Sequence, residues 1–302
     1  MSQSADGVLV VDKPAGPTSH DVVAVARRAL RTPKVGHTGT LDPMATGVLV
    51  LVVGRATRLA RYMAGDVKGY EAHVTFGRAT DTYDALGATT AETGHYPDEA
   101  ALVAALAAST GAFQQTPPAY SAKKVGGQAA YKLARRALPV TLEPVAVVVH
   151  ALALGHYANG VAVLSVRASA GFYVRSLAHD LGTVLGTGAH LSGLRRTHAG
   201  AFGLADAVPW ESLAGGGDAA RAGLLPLDRL LPELPRAVLS AEDAARARHG
   251  QTVQCAAAAG AAGPVRLVDE AGKLIGIAEA WPAGRALPAH GPITLQPIVI
   301  LG

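Results

Sequence analysis

Residues 48–53 are six apolar side chains in a row, four of them β-branched, and Gly54 closes the run. A run that short and that branched reads as a strand buried on both faces. Directly before it lies a loop carrying His37, Thr38, Thr40 and Asp42, threaded by Gly36, Gly39 and Gly47. Directly after it, Arg55, Arg58 and Arg61 recur at the spacing of one helix face. No acid falls between residues 44 and 65, so Asp42 is a lone carboxylate with cationic sequence on both sides. An Asp-Pro pair is by itself a turn in which the Asp side chain holds its own backbone. A carboxylate presented on a loop from a rigid strand is also a place for chemistry. Spacing alone leaves both open.

At 302 residues the chain has room for about two domains and ample length to bury a core. Its net charge of +4 permits a polyanionic partner without requiring one. The placement of that charge says more. Lys123, Lys124, Lys132, Arg135 and Arg136 fall in a stretch, residues 100–142, that holds no acid. Between residues 144 and 205 the only acid is Asp180, set against Arg167, Arg175, Arg195 and Arg196. Residues 237–302, with five acids and five bases, are neutral. The pattern is the footprint of a nucleic-acid binder whose positive surface lies in the first three quarters of the chain; a solvated charged face gives the same pattern. The single cysteine, Cys255, excludes an intramolecular disulfide and a cysteine-cluster metal site. The N-terminus lacks a signal-peptide pattern, and no apolar run approaches the ~20 residues of a membrane span. We therefore expect a soluble cytoplasmic protein.

Taken as a string, GHTGTLDPMATGVL resembles the signature of the TruB-type tRNA pseudouridine synthases, in which the Asp of G-T-L-D-P is the essential catalytic residue. Other segments resemble the same family in the expected order. KPAGPTS resembles its first motif and places Lys13 near the active site. KGY supplies Tyr70, which in the family stacks on the target base and assists proton transfer. TDTYDALG resembles its T-D-x-x-D turn, with Asp81 and Asp84 in structural or substrate-positioning roles. QTPPAYSAKK resembles a flexible insertion that closes over bound RNA, placing Lys123, Lys124, Lys132 and Arg135 on the substrate. GFYVRSLAHDLG, with Tyr173, resembles the motif whose Arg, here Arg175, pairs with the catalytic Asp; Phe172 stands where Thr is frequent. Leu194 and the following Arg195-Arg196-Thr197 match the segment lining the uridine pocket. By the same analogy His37 fills the space a flipped base vacates, and Thr40 lines the substrate site.

The residues carry their own structural reading. Residues 7–12 read as a strand, followed by a turn and a helix capped by Thr18 or Ser19, with Val22, Val23, Val25, Ala26 and Leu30 as its apolar face. Residues 68–77 alternate as a strand with Tyr70, Ala72, Val74 and Phe76 on one side. Residues 98–108 form a helix with Leu102, Val103 and Leu106 inward. Residues 145–154 and 161–168 pair as a hairpin through Asn159-Gly160. A short strand at residues 172–174 leads into a helix whose N-terminal end holds Arg175, an arrangement that opposes the macrodipole and suggests an anionic partner. Several short strands after residue 237 make a small β-domain.

The fold expected is α+β: a mixed, largely antiparallel sheet of pseudouridine-synthase type with flanking helices in residues 1–236, and a PUA-like RNA-binding β-barrel in residues 237–302. The resemblance implies isomerisation of uridine to pseudouridine at position 55 of the tRNA T-loop, with no cofactor and no metal. It implies tRNA as partner, no membrane, no obligate protein partner, and a monomer. Whether Asp42 attacks C1′ or removes a ribose proton stays open. Three other readings are a catalytic subunit of a guide-RNA pseudouridylation complex, a tRNA-folding chaperone, and a metabolic enzyme acting on a small molecule. Residues 237–302 are expected to aid tRNA binding while being dispensable for turnover.

Overall fold

The protein is described here from a computed structural model covering residues 5–136, 138–256, 263–280 and 292–301. The apolar run is the inner part of strand Thr46–Val53, antiparallel to Gly7–Lys13 from Gly7↔Val53 to Lys13↔Gly47. These two strands belong to an 11-stranded sheet whose main path runs Val208–Pro209, Gly7–Lys13, Thr46–Val53, Ala189–Ala199, Lys68–Phe76, Val161–Ala168, Val145–Ala158, Gly111–Gln115. Val208–Pro209 pairs parallel with Gly7–Lys13, as Ala189–Ala199 does with Thr46–Val53; the other neighbours on this path are antiparallel. The sheet is mixed and largely antiparallel, as expected.

Both faces of the central strand are covered. Leu49, Leu51 and Val53 pack with Leu9 and Val11 against Val22, Val23, Ala26 and Leu30 of helix Ser19–Leu30. Thr18 caps that helix and closes a capping box with Asp21, while Val25 sits at the margin of the apolar face. On the opposite face Val48, Val50 and Val52 pack with Val8 and Val10 against Leu230, Leu231, Val268, Leu274, Ile277, Val299 and Leu301. Every side chain of the run is thus out of water, which is why no alternation shows in the sequence.

The two halves of the large sheet meet through a narrow seam, Arg195↔Thr46 and Arg196↔Gly47. Gly47 sits there at φ 97°, and a Cβ on it would run into the Arg196 backbone oxygen, so only glycine fits this approach. Beyond the seam Ala72, Val74, Phe76, Ala162, Leu164 and Val166 pack against helices Glu99–Ala108 and Val174–Val184.

Three local readings need correction. Val103 is 50% exposed, because Leu102, Ala105 and Leu106 form the inward face of its helix. Residues 172–174 contain no three-residue strand; Tyr173 is the residue before helix Val174–Val184, its backbone N–H and C=O both taken by the Gln115 side chain. Arg55 and Arg58 lie on a 3₁₀ helix, Gly54–Leu59, ahead of the short α-helix Ala60–Met63, and donate to the backbone oxygens of Leu301 and Ile300.

The second sheet has five strands in the order Arg236–Leu239, Val265–Asp269, Leu274–Ala280, Pro292–Ile300, Val253–Ala256. Its first pair is parallel and the others antiparallel, and its two edge strands approach each other to give a nearly closed PUA-like barrel. Helix Ala241–Arg248 packs Ala244 and Ala247 onto that barrel's core of Leu239, Val265, Leu267, Ile275 and Leu295. Most of the Ala/Gly-rich stretch at residues 256–263 lies outside the described residues.

Candidate active site

Asp42 ends a loop between strands Val35–His37 and Thr46–Val53. Arg175 donates to it twice, Nε to Oδ2 at 2.8 Å and Nη2 to Oδ1 at 3.1 Å. Planar guanidinium meets planar carboxylate in the two-pronged geometry that fixes orientation as well as charge. The turn here is closed by the backbone, Ala45 N–H to the Asp42 carbonyl at 3.1 Å, and both carboxylate oxygens go to Arg175. The Asp42 side chain therefore pairs with Arg175 instead of holding its own backbone. The Arg175 side chain is 5% exposed and that of Asp42 33%, so the carboxylate is the member of the pair open to a ligand.

Arg175 is held from behind. Its Nη1 donates to the Thr82 carbonyl at 3.1 Å and its Nη2 to the Tyr120 carbonyl at 2.9 Å, and Nε lies 3.8 Å from the Asp84 carboxylate. Asp84 in turn accepts from Thr82 Oγ1 at 2.7 Å and from Leu86 N–H at 3.0 Å. The arginine that opposes the macrodipole at its helix start is therefore compensated by two carboxylates and two backbone oxygens.

Two further buried cations fasten the loop itself. Lys13, with no exposed surface, donates Nζ to the carbonyls of Pro14 at 2.8 Å, Pro43 at 3.2 Å and Ala45 at 2.7 Å. Burial lowers its pKa to about 8; the nearby Asp42 opposes the drop and Arg196 adds to it. The motif resemblance places Lys13 near the site and makes it a candidate substrate-binding residue. It holds the Asp42 loop from inside instead, because all of its donor capacity is spent on backbone oxygens around Asp42. Arg196, 2% exposed, donates to the carbonyls of Val48 at 2.7 Å, Gly39 at 3.1 Å and Thr40 at 3.3 Å. Ser19 completes the frame by accepting from Leu41 N–H at 2.8 Å.

Residues 27–174 match the family described as TruB family pseudouridylate synthase (N terminal domain). Residues 175–232 match the tRNA pseudouridylate synthase B C-terminal domain, and residues 235–289 match Pseudouridine synthase II TruB, C-terminal. A tRNA pseudouridine synthase B from Symbiobacterium thermophilum is 49% identical over 253 residues, 82% of this chain and 83% of its own. One from Pseudomonas aeruginosa is 42% identical over 293 residues, 95% and 96% of the two chains. The chain belongs to the TruB family. Among solved structures, a Cbf5-Nop10-Gar1 complex superposes with a TM-score of 0.76 at 23% identity, covering 99% of this chain and 85% of that one, a likeness of fold.

The remaining residues singled out from the TruB motifs fall into two places. Tyr70, on strand Lys68–Phe76, packs against the core cluster of Ala72, Val74 and Phe76, and burial raises the pKa of its hydroxyl, with the neighbouring Arg196 guanidinium opposing. Tyr173 precedes Arg175, and its hydroxyl is also pushed up by burial, with Ser121 and Arg175 opposing. His37 lies edge-on to His20 at 5.5 Å with its Nδ1 buried and without a hydrogen-bond partner among the described residues, and burial first, then His20 and Arg196, lowers its pKa. Thr40 is exposed, and Leu194 is half-buried beside the seam with its carbonyl 3.4 Å from Thr46 Oγ1. Of these, Tyr70 and Tyr173 lie within electrostatic reach of Asp42.

The basic segment is separate. Lys124–Val125 and Gln128–Ala129 form a small hairpin, followed by helix Ala130–Ala134. Lys124, Lys132 and Arg135 are exposed on it and Lys123 is half-buried. The segment starts just past Tyr120, whose carbonyl binds Arg175, so it is rooted at the site. Arg195 is paired twice with Asp12, at 3.0 and 2.7 Å. Sequence reasoning missed the frame: Arg196 was read only as pocket lining, and nothing in its surroundings marks it as buried. Among the described residues no group of three or more His, Cys, Asp or Glu could hold a metal ion.

Proposed function

We propose that the protein isomerises uridine to pseudouridine in tRNA, at position 55 of the T-loop, with Asp42 as the reacting carboxylate. The observation that carries this reading is a half-open carboxylate, oriented by a buried two-pronged arginine, on the loop of a TruB-family chain. In the reaction the N1–C1′ bond breaks, the base turns, C5 bonds to C1′, and the C5 proton is replaced by one on N1. The net change is zero in atoms and electrons, so neither oxidant nor metal is required. The target base leaves its stack at a cost of a few kcal/mol and stacks instead on an aromatic ring. Tyr70 beside Asp42 serves as that ring; Thr40, Leu194 and Tyr173 line the pocket, and His37 fills the vacated space.

In this reading residues 1–236 form the catalytic unit and residues 237–302 add grip on the tRNA. Lys123, Lys124, Lys132 and Arg135 contact its phosphates. The enzyme works in the cytoplasm as a monomer without an obligate protein partner. Identity of 42–49% to proteins named tRNA pseudouridine synthase B favours tRNA over a guide-RNA substrate. The test is to incubate the lone protein, wild type or Asp42→Asn, with an unmodified tRNA transcript and count pseudouridine by position. We expect product at position 55 from wild type, and at least about a 100-fold loss in the variant, roughly 3 kcal/mol of barrier. Turnover by Asp42→Asn above that level removes Asp42 from the chemistry, and wild-type inactivity without added protein or guide favours the complex.

A further inference from the structure

Tyr83 has φ 64°, in the left-handed region where a bulky side chain is rarely found. Arg31 and Asn159 share that region for evident reasons, one ending a helix and the other turning a hairpin. Tyr83 does neither. It lies between Thr82, whose carbonyl accepts from Arg175, and Asp84, whose carboxylate faces the same guanidinium. An outlier of this kind persists only where its surroundings hold it in place.

What holds it is the His179 ring, stacked on the Tyr83 ring at 3.8 Å between centroids and 10° between planes. His179 stands four residues beyond Arg175 on helix Val174–Val184, one turn along the same side. Its Nδ1 is buried and has no hydrogen-bond partner among the described residues, so packing against Tyr83 fixes this ring. The turn 82–84 is thereby gripped twice by one helix, through hydrogen bonds at Arg175 and through the stack at His179. The backbone of Tyr83 adds a third tie, its carbonyl accepting from Leu191 N–H at 2.9 Å.

We propose that Tyr83 and His179 are positioning residues: their stack fixes the Thr82 carbonyl and the Asp84 carboxylate, which fix Arg175 and through it the Asp42 carboxylate. Neither ring touches the reacting atoms. The inference rests on the reading of Asp42 and Arg175 as the reacting pair. Loss of the stack lets the guanidinium shift, and a displacement of about 1 Å in a catalytic group costs up to about 100-fold in rate.

The decisive variant is Tyr83→Asn, because Asn accepts the left-handed backbone and removes only the ring. We expect its single-turnover rate of pseudouridine formation to fall about 10- to 100-fold. Its tRNA dissociation constant should stay within about twofold of wild type. Tyr83→Phe and His179→Phe keep a stack and should restore most of the rate. Combining Tyr83→Asn with Arg175→Lys should be no slower than Arg175→Lys alone, since both act through one guanidinium. A wild-type rate in Tyr83→Asn overturns the proposal. So does weakened tRNA binding at an unchanged rate, which would put the ring on the RNA, and so does a loss that neither Phe variant repairs. Asp42→Asn assayed alongside separates the two readings: if it stays active the functional reading falls, whereas an inactive Asp42→Asn beside an unimpaired Tyr83→Asn removes only the positioning role.

Discussion

Lys13 brings a titration into the interior, close to the working pH of most enzymes. Folded, its pKa is lowered from 10.5 to about 8, chiefly by burial. Between those values the unfolded chain holds a proton that the folded chain has released, so the Lys13 contribution to stability rises with pH from about 8 towards 10.5. Below about 8 the burial penalty is present in full. We therefore expect Lys13→Met to cost more stability at pH 10 than at pH 7, by on the order of 2 kcal/mol in urea denaturation. A difference that is flat or reversed would mean that Lys13 titrates as an exposed amine. Arg175 was legible from the sequence, both from its motif and from its conflict with the helix dipole. Lys13 and Arg196 were legible as positions and not as roles. A buried cation and a surface cation are the same letter, and only the carbonyls gathered around them tell the two apart.

Hairpins show where pattern suffices for an element and where it fails. Asn159 and Gly160, at φ 50° and 72°, turn the chain between Val145–Ala158 and Val161–Ala168, as the dipeptide predicts. Gly126 and Gly127, at φ 56° and 83°, make a turn of the same length within the basic segment, where the sequence reading names no hairpin. Strands of two residues with largely exposed sides leave no apolar alternation to detect. That hairpin presents Lys124 to solvent, ahead of the helix that bears the exposed Lys132. Replacing Lys123, Lys124 and Lys132 by Gln should flatten log K against log salt for tRNA binding by about one to two units. Single-turnover chemistry at saturating enzyme should change little. If the slope is unchanged, the phosphates are held elsewhere, and Arg195 is a poor candidate because Asp12 already occupies it.

The sequence presents residues 237–302 as a separable tail, but the molecule shares a core across that line. Val268, Leu274, Ile277, Val299 and Leu301 lie in one cluster with Val8, Val10, Val48, Val50 and Val52. Removing the tail strips apolar cover from the strand that carries the catalytic loop. We expect residues 1–236 alone to unfold at lower urea than the full chain, or without a cooperative transition, followed by circular dichroism. A fragment as stable as the whole, with full turnover, would show the shared cluster to be incidental and the tail dispensable after all. Composition does not show the contact across that line: an apolar run states that both its faces are covered and leaves unnamed the part of the chain that covers them.

The bond from Arg58 to the Ile300 carbonyl spans 242 residues. During synthesis the central strand must wait for that much chain to be made, roughly 10 to 50 seconds at 5–20 residues per second. Throughout that interval one side of its valine row lacks the cover of Val299 and Leu301, and an incompletely covered apolar strand is the kind of surface on which nascent chains associate. The arrangement that seats Asp42 on a rigid scaffold therefore leaves the newborn chain dependent on protection until its last strand emerges.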